Sequence, residues 1–279
     1  MAEVGLSSAG NAYRCRLRAH ATPGNIARTE HEYRGAPPNH PADNNVGSFP
    51  MREISYEEQT VNSGNPLARF AHRSRMTMAI DLVSKLCANR GTVVDFGAGP
   101  GLFLHTLGGA RPDVTLIGHD MFMAPAFPEV NYAESLDSVA SDSVDVLTAF
   151  EVCEHLYDNE LDDLLSDAAR ILKPNGAFVI SVPIMYGLAI GPKVSNWMIR
   201  SRSFKSEYSP AELVKAMVGI RVSRPENPRT THKGFDFREL RDVVSKRFVI
   251  DATHLSPLPI APWWMSSQFF MICRPKSKA

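Results

Sequence analysis

The stretch Thr92-Val93-Val94-Asp95-Phe96-Gly97-Ala98-Gly99-Pro100-Gly101-Leu102-Phe103-Leu104 decides the fold. A β-branched run closes on Asp95 and Phe96, three glycines follow at alternate positions, and an apolar helical pattern begins at once. That order predicts strand, tight loop and helix, the unit with which an open α/β sheet holds a nucleotide-like cofactor at a helix N-terminus. Gly97 and Gly99 can take backbone angles closed to other residues and let a ligand approach the main chain.

Working outward, Met76, Ala79, Ile80, Val83, Leu86 and Cys87 recur at helical spacing until Asn89-Arg90-Gly91 stops them. Arg69, His72, Arg73 and Arg75 lie ahead of that core-facing part and read as a solvated helix face or as a cover over an active site. Downstream, strands are expected at 114–118, weakly around 130–132, and clearly at 144–150. Leu161, Leu164, Leu165, Ala168, Ala169 and Leu172 form one helical stripe, stopped by Lys173-Pro174-Asn175-Gly176 before a strand at 177–182. Phe237, Leu240, Val243 and Val244 mark the last helix. Strands at 247–253 and 268–273 are joined too briefly for a crossover and must be antiparallel neighbours, with Trp263 and Trp264 packing at their connection. The fold class is α/β, a doubly wound and mostly parallel sheet.

Residues 1–50 carry Pro23, Pro37, Pro38, Pro41 and Pro50 with few large apolar side chains, and read as a disordered extension. The folded domain is expected over 51–279. Within it, periodicity blurs across 183–233 apart from a helical piece near 210–218, so this insertion on the ligand side of the sheet reads as a lid.

The formal net charge of zero excludes a global field for nucleic acid or membrane. No apolar run approaches the roughly 18 residues of a membrane span. Cys15, Cys87, Cys153 and Cys273 are far apart with no CxxC pair, which fits buried, reduced thiols and a cytoplasmic location. Charge is nevertheless blocked along the chain. Residues 112–167 hold fourteen Asp and Glu and no Lys or Arg, whereas 200–247 hold twelve basic and six acidic residues. Such blocks read as solvated faces, or as a basic approach for an anionic substrate.

A dinucleotide loop wants G-x-G-x-x-G, and Leu102 stands where its third glycine belongs. The form D-x-G-x-G-x-G suits a ligand with an amino-acid part: Asp95 can take an ammonium directly or through water, and Asp120, ending the second strand, can hold both hydroxyls of a ribose.

At these residues the chain resembles the class I S-adenosylmethionine-dependent methyltransferases. Val93 to Gly101 is similar to their first motif, Gly118-His119-Asp120 to the acidic second, and Asp142-Ser143-Val144-Asp145-Val146-Leu147 to the fourth strand. Leu172-Lys173-Pro174-Asn175-Gly176-Ala177 is similar to the turn before the fifth. The resemblance implies a seven-stranded sheet with its last strand antiparallel and S-adenosylmethionine as cofactor. It implies that Gly97 and Gly99 contact the methionine part, Asp120 the ribose, and Ala133-Glu134 the adenine edge. Ala98, Gly101, Met121 and Phe150 complete the expected cofactor set, and Gly97→Arg is expected to abolish binding while sparing the fold.

Transfer to a hydroxyl profits from a base or a Lewis acid, because the acceptor's pKa lies far above 7. Were the chain to turn helical after the fourth strand, Glu151, Glu154 and His155 would share one face at i, i+3 and i+4. Such a group can coordinate Mg, Mn, Fe or Zn, with His232 as a further ligand. ExxEH followed by a distant histidine is similar to ubiquinone-type O-methyltransferases and small-RNA 2′-O-methyltransferases, where such residues bind metal. A metal-free base role for His155 or His232, with Glu151 assisting, and a purely structural role at the helix N-terminus are the alternatives.

The expected activity is O-methylation of a small, sugar-linked or lipid-linked acceptor, with 183–233 as its lid. A nucleotide-dependent oxidoreductase or epimerase and a non-catalytic methyltransferase-like subunit are the competing readings. An RNA substrate ranks lower, since the basic block lacks interleaved aromatic residues.

Overall fold

The computed structural model describes residues 66–201 and 206–276 of the chain. The expectation for residues 1–50 lies outside them. Helices and strands alternate: α1 (Pro66–Leu86), β1 (Thr92–Phe96), α2 (Leu102–Ala110), β2 (Thr115–His119), β3 (Asn131–Tyr132), β4 (Val144–Phe150), α3 (Asp158–Ile171) and β5 (Leu172–Pro183). Then follow α4 (Ile190–Ser201), α5 (Pro210–Met217), α6 (Phe237–Arg247), β6 (Phe248–Ser256) and β7 (Gln268–Pro275). The seven strands pair in the order β3-β2-β1-β4-β5-β7-β6. The pairs among β1 to β5 are parallel, and β7 runs antiparallel between β5 and β6. This is the doubly wound, seven-stranded fold expected from the motifs.

Central parallel strands are buried on both faces and therefore read as continuous apolar runs. Val93 and Val94 show why. Val94 packs with Leu147, Leu165 and Val244 on the side of α3 and α6. Val93, pointing the other way, packs with Val83, Leu104 and Val146 on the side of α1 and α2. None of these side chains is more than 1% exposed, so both layers are closed around the sheet.

Three local expectations change. Lys173-Pro174-Asn175-Gly176 is not a turn outside the sheet: α3 ends at Ile171, Leu172 opens β5, and the pairing jumps from Val144↔Leu172 to Val146↔Ala177. The four residues are an irregularity within the strand, and a Cβ on Gly176 would stand 3.0 Å from the carbonyl oxygens of Lys173 and Val144. The described residues of the 183–233 segment hold two helices, α4 and α5, where only the second was marked by its Ser209-Pro210 start. The charge blocks, besides facing solvent, meet each other: Arg247 pairs with Asp162 at 2.6 Å, Arg229 pairs with Glu160, and Arg224 donates to the Glu154 carbonyl at 2.6 Å.

Cys87, Cys153 and Cys273 are buried and unbridged, as expected of packing thiols. No helix among the described residues is long and apolar enough to cross a membrane.

Candidate active site

A cavity of about 990 Å³ opens beyond the C-terminal ends of β1, β2 and β4, the ligand side of an open α/β sheet. The glycine loop lines one side of it, and Glu154, His155 and His232 line the other. The cofactor motif and the candidate ligating group thus share one space.

The glycine loop turns sharply because Gly97, Gly99 and Gly101 all have positive φ, at 75°, 55° and 91°. The N–H groups of Gly97 and Ala98 both donate to the His119 carbonyl, at 2.7 and 3.0 Å, clamping the loop to the end of β2. A Cβ on Gly97 would lie 2.3 Å from Cγ2 of Val152, whereas one on Gly99 would meet only the Met123 sulfur at 3.7 Å. Gly99 therefore faces the free space of the cradle, and Gly97 abuts protein. The expectation that Gly97→Arg spares the fold is overturned by that contact. Gly101 does not line the cavity; it opens α2 beside Tyr132, whose hydroxyl donates to the Gly99 carbonyl at 2.8 Å.

Asp120 acts first as a brace. One carboxylate oxygen accepts from Gly99 N–H, and the other accepts from Phe122 and Met123 N–H, all at 2.8 Å. Its carboxylate thereby joins the glycine loop to the 121–123 loop at the cavity rim. Met121 stands on that rim, 71% exposed. Phe150 ends β4 and packs edge-on against Phe103 at 4.9 Å. Ala133 and Glu134 do not line the cavity; Ser135, Leu136 and Asp137 do. The two-residue β3 ends at Tyr132, and Ala133 is still tied to the sheet edge through Gly118 and His119, so the chain reaches the cavity later.

Asp95 is buried at the end of β1, where its carboxylate accepts from the Thr148 hydroxyl at 2.5 Å. Burial pushes its pKa up to about 7, and the Thr148 hydrogen bond only partly opposes this. A cationic ligand group would bring it back down.

Glu151 behaves unlike its neighbours. It adopts a φ of 58°, and the helical geometry expected here is replaced by a 3-10 turn at Cys153–His155, so the three side chains do not stack on one helical face. Its carboxylate is held by Ser181 (3.1 Å), Gln268 (3.0 Å) and Arg75 (3.1 Å). Arg75 lines the cavity, so that part of α1 covers the site rather than facing solvent alone. The set expected to ligate together is thus divided: Glu154, His155 and His232 offer ligand atoms within 4.8 Å of one another, and Glu151 is not among them.

Glu154 is 0% exposed and neither of its oxygens has a hydrogen-bond partner. Burial, and then the Glu151 charge, raise its pKa well above the carboxylate range. His155 Nδ1 faces the Pro228 carbonyl at 3.2 Å; a carbonyl only accepts, so Nδ1 carries the proton and the Nε2 lone pair points inward. Across the gap, His232 Nε2 lies 2.9 Å from His155 Nε2 and 3.9 Å from the Glu154 carboxylate. Burial and the neighbouring His155 lower the His232 pKa to about 4, leaving it neutral at pH 7. Two imidazoles and a buried carboxyl group without a hydrogen bond fit a divalent cation by donor chemistry.

Several residues of the site carry no recognisable sequence signal. Ser181 and Gln268 sit in β5 and β7 and meet Glu151 only through sheet pairing. Lys193, on α4, donates to the carbonyls of Ile184 (2.9 Å) and Ser267 (2.8 Å), with its pKa lowered to about 8 by burial.

Comparison with known proteins gives the family of the chain. A family profile described as a methyltransferase domain matches residues 68–220, more than half of the chain. The chain belongs to that family. It is a methyltransferase with S-adenosylmethionine as its cofactor, and the oxidoreductase and non-catalytic readings fall away. No curated protein matches the sequence. Among solved structures, it is similar to the PH0226 protein of Pyrococcus horikoshii, at 14% identity and TM-score 0.48 over 79% of this chain and 96% of that one. It is also similar to a TehB-like methyltransferase of Corynebacterium glutamicum, at 14% identity and TM-score 0.46, covering 71% and 87% of the two chains. A geranyl diphosphate C-methyltransferase of Streptomyces coelicolor aligns at 16% identity and TM-score 0.43, over 74% and 80%.

Proposed function

We propose that this methyltransferase acts on a hydroxyl oxygen of a small, sugar-linked or lipid-linked acceptor, with Glu154, His155 and His232 holding a divalent metal beside the cofactor. The observation that carries the reading is the buried, unpartnered Glu154 carboxylate facing two imidazole nitrogens in the cavity of the glycine loop. Two imidazoles and one carboxylate suit Zn, Fe or Mn better than Mg. Glu151 belongs to the reading as an acceptor-side group and no longer as a metal ligand. The similarity to ubiquinone-type O-methyltransferases rests on the same ExxEH run, and the buried free thiols fit a cytoplasmic setting.

S-adenosylmethionine supplies a methyl group already activated on a sulfonium, and a divalent cation lowers the pKa of a hydroxyl near it. The chain's own residues supply orientation. Gly97, Ala98 and Gly99 expose the main chain to the methionine part, and Asp95 offers a buried carboxylate to its ammonium. Asp120 presents its remaining acceptor capacity to the ribose, while Ser135 to Asp137 replace Ala133-Glu134 at the adenine edge. Arg75, Ser181 and Gln268 fix Glu151 at the acceptor side, and the described part of segment 183–233, which brings Arg229 and His232 to the cavity, serves as its lid. His155, with Nδ1 turned to the Pro228 carbonyl, directs Nε2 toward His232, where the metal would be held.

The test combines metal analysis of the purified enzyme with methyl transfer from labelled cofactor to a panel of hydroxyl-bearing acceptors. Bound Zn, Fe or Mn, O-methyl products by mass spectrometry and loss of turnover on chelation are expected. N- or C-methyl products, or full activity in metal-free protein, would overturn the reading. The 2.9 Å His155–His232 contact favours one second reading, a metal-free imidazole base. Turnover that survives chelation but is lost in His155→Ala identifies it.

A further inference from the structure

We propose that Arg229 is a positioning residue: it clasps the acceptor-side segment to the cofactor rim, so that cofactor binding and assembly of the His155/His232 pair are energetically coupled. This rests on the reading of Glu154, His155 and His232 as a metal site.

Arg229 lies in the short 3-10 turn Pro228–Thr230. Its guanidinium sits 5.6 Å from the ring centroid of Phe122 and 5.2 Å from that of Tyr157, and it pairs with Glu160. Phe122 lines the cavity after β2, and Tyr157 caps the start of α3 beside Leu156, which also lines it. A flat cation between two aromatic faces, with a carboxylate fixing its edge, is a geometry that arginine supplies and lysine does not.

Each end of the clasp reaches a working part of the site. Phe122 is 76% exposed, yet its backbone N–H is held by Asp120, the residue that also braces Gly99. Any ligand that engages Asp120 therefore acts on the platform under Arg229. At the other end, the residue before Arg229 provides the carbonyl that fixes the His155 tautomer, and His232 follows three positions later. Asn227 ties the same turn down by accepting from Arg229 N–H at 3.0 Å and from the Tyr157 hydroxyl at 3.4 Å. The turn that orients both histidines thus also reaches the cofactor side, through Arg229. Each contact is individually modest, which is the regime in which two ligands bias one element without either being abolished.

Calorimetry on the full chain tests this, with S-adenosylhomocysteine titrated in the presence and absence of Mn²⁺, and Mn²⁺ in the presence and absence of S-adenosylhomocysteine. In the wild type each ligand is expected to tighten the other by the same factor, about fivefold or more, since linkage is reciprocal. In Arg229→Ala the factor falls to about one while both ligands still bind, and Arg229→Lys restores it only in part. Phe122→Ala, which alters an exposed side chain and leaves the core intact, gives the same loss. Two tight but uncoupled ligands in the wild type, or undiminished coupling in Arg229→Ala and Phe122→Ala, would overturn the clasp. If Mn²⁺ does not bind the wild type at all, the metal reading fails and the clasp is judged by NMR of the imidazole nitrogens. Resonances of His155 and His232 that shift with S-adenosylhomocysteine in the wild type but not in Arg229→Ala support it, and equal shifts in both refute it.

Discussion

Nε2 of His155 and Nε2 of His232 lie 2.9 Å apart although 77 residues separate them in the chain. The Pro228 carbonyl orients one ring, and the segment between the Pro228–Thr230 turn and α6 carries the other. Between them and the floor of the cavity stands Glu154, whose carboxylate is wholly buried and without a hydrogen bond. Burial favours the neutral form of this carboxyl group and leaves it without a hydrogen bond, and a cation meeting it in use would supply the partner that it lacks.

Glu154→Gln removes the ionisable oxygen that a cation would meet. We expect it to reduce metal retention by tenfold or more, read by metal analysis after dialysis, while the melting temperature of the metal-free protein stays level or rises. Unchanged metal content would remove Glu154 from the ligand set.

Glu151→Gln separates the two acidic residues of the motif. Its carboxylate is held by Arg75, Ser181 and Gln268 rather than by the histidines. Turnover is expected to fall while bound metal stays stoichiometric. Loss of the metal together with activity would return Glu151 to the ligand set.

Asp95 makes both stability and cofactor affinity depend on pH. Its folded pKa of about 7 lies above the ordinary 3.8 because burial disfavours the ionised form. The stabilising contribution is therefore full below about pH 4 and is lost as pH rises through 7. Asp95→Asn should gain a few degrees in melting temperature over the wild type at pH 8 and little at pH 4. Wild-type affinity for S-adenosylhomocysteine should rise as pH climbs through 7, because the ionised carboxylate faces an ammonium, and Asp95→Asn should flatten that profile. A wild-type affinity independent of pH would take Asp95 away from the ammonium.

The glycine loop offers a matched pair of substitutions. Gly97→Ala drives a Cβ into Val152 at 2.3 Å with φ at 75°, and should destabilise the fold by about 1–3 kcal/mol. Adding Val152→Ala should recover part of the melting temperature. Gly99→Ala has room within the protein and should fold with a smaller loss, yet cost tenfold or more in cofactor affinity by calorimetry. Equal effects of the two alanines on stability and affinity would show that the loop has no free face.

Much of this architecture was legible in local pattern. Val93 and Val94 face opposite core layers, so β1 had to be a continuous apolar run, and the helical stripes had to lie against it. The Gly97–Gly101 spacing and Leu102 separated the cofactor types, because a tight turn leaves its mark in adjacent residues. Local pattern misled where a bulge could imitate a stop: Lys173-Pro174-Asn175-Gly176 carries turn residues but lies within a strand, since Leu172 before it pairs with Val144 and Ala177 after it pairs with Val146.

The sequence by itself determined the sheet, the glycine cradle and the candidacy of Glu154, His155 and His232, all of which follow from periodicity and short-range spacing. Only the tertiary structure decided that Glu151 leaves that group, that Ser135 to Asp137 rather than Ala133-Glu134 wall the cavity, and that Arg229 meets both Phe122 and Tyr157. Those outcomes depend on one positive backbone angle, on where a two-residue strand releases the chain, and on side chains from strands and turns remote in sequence. Spacing along the chain cannot encode contacts made across it.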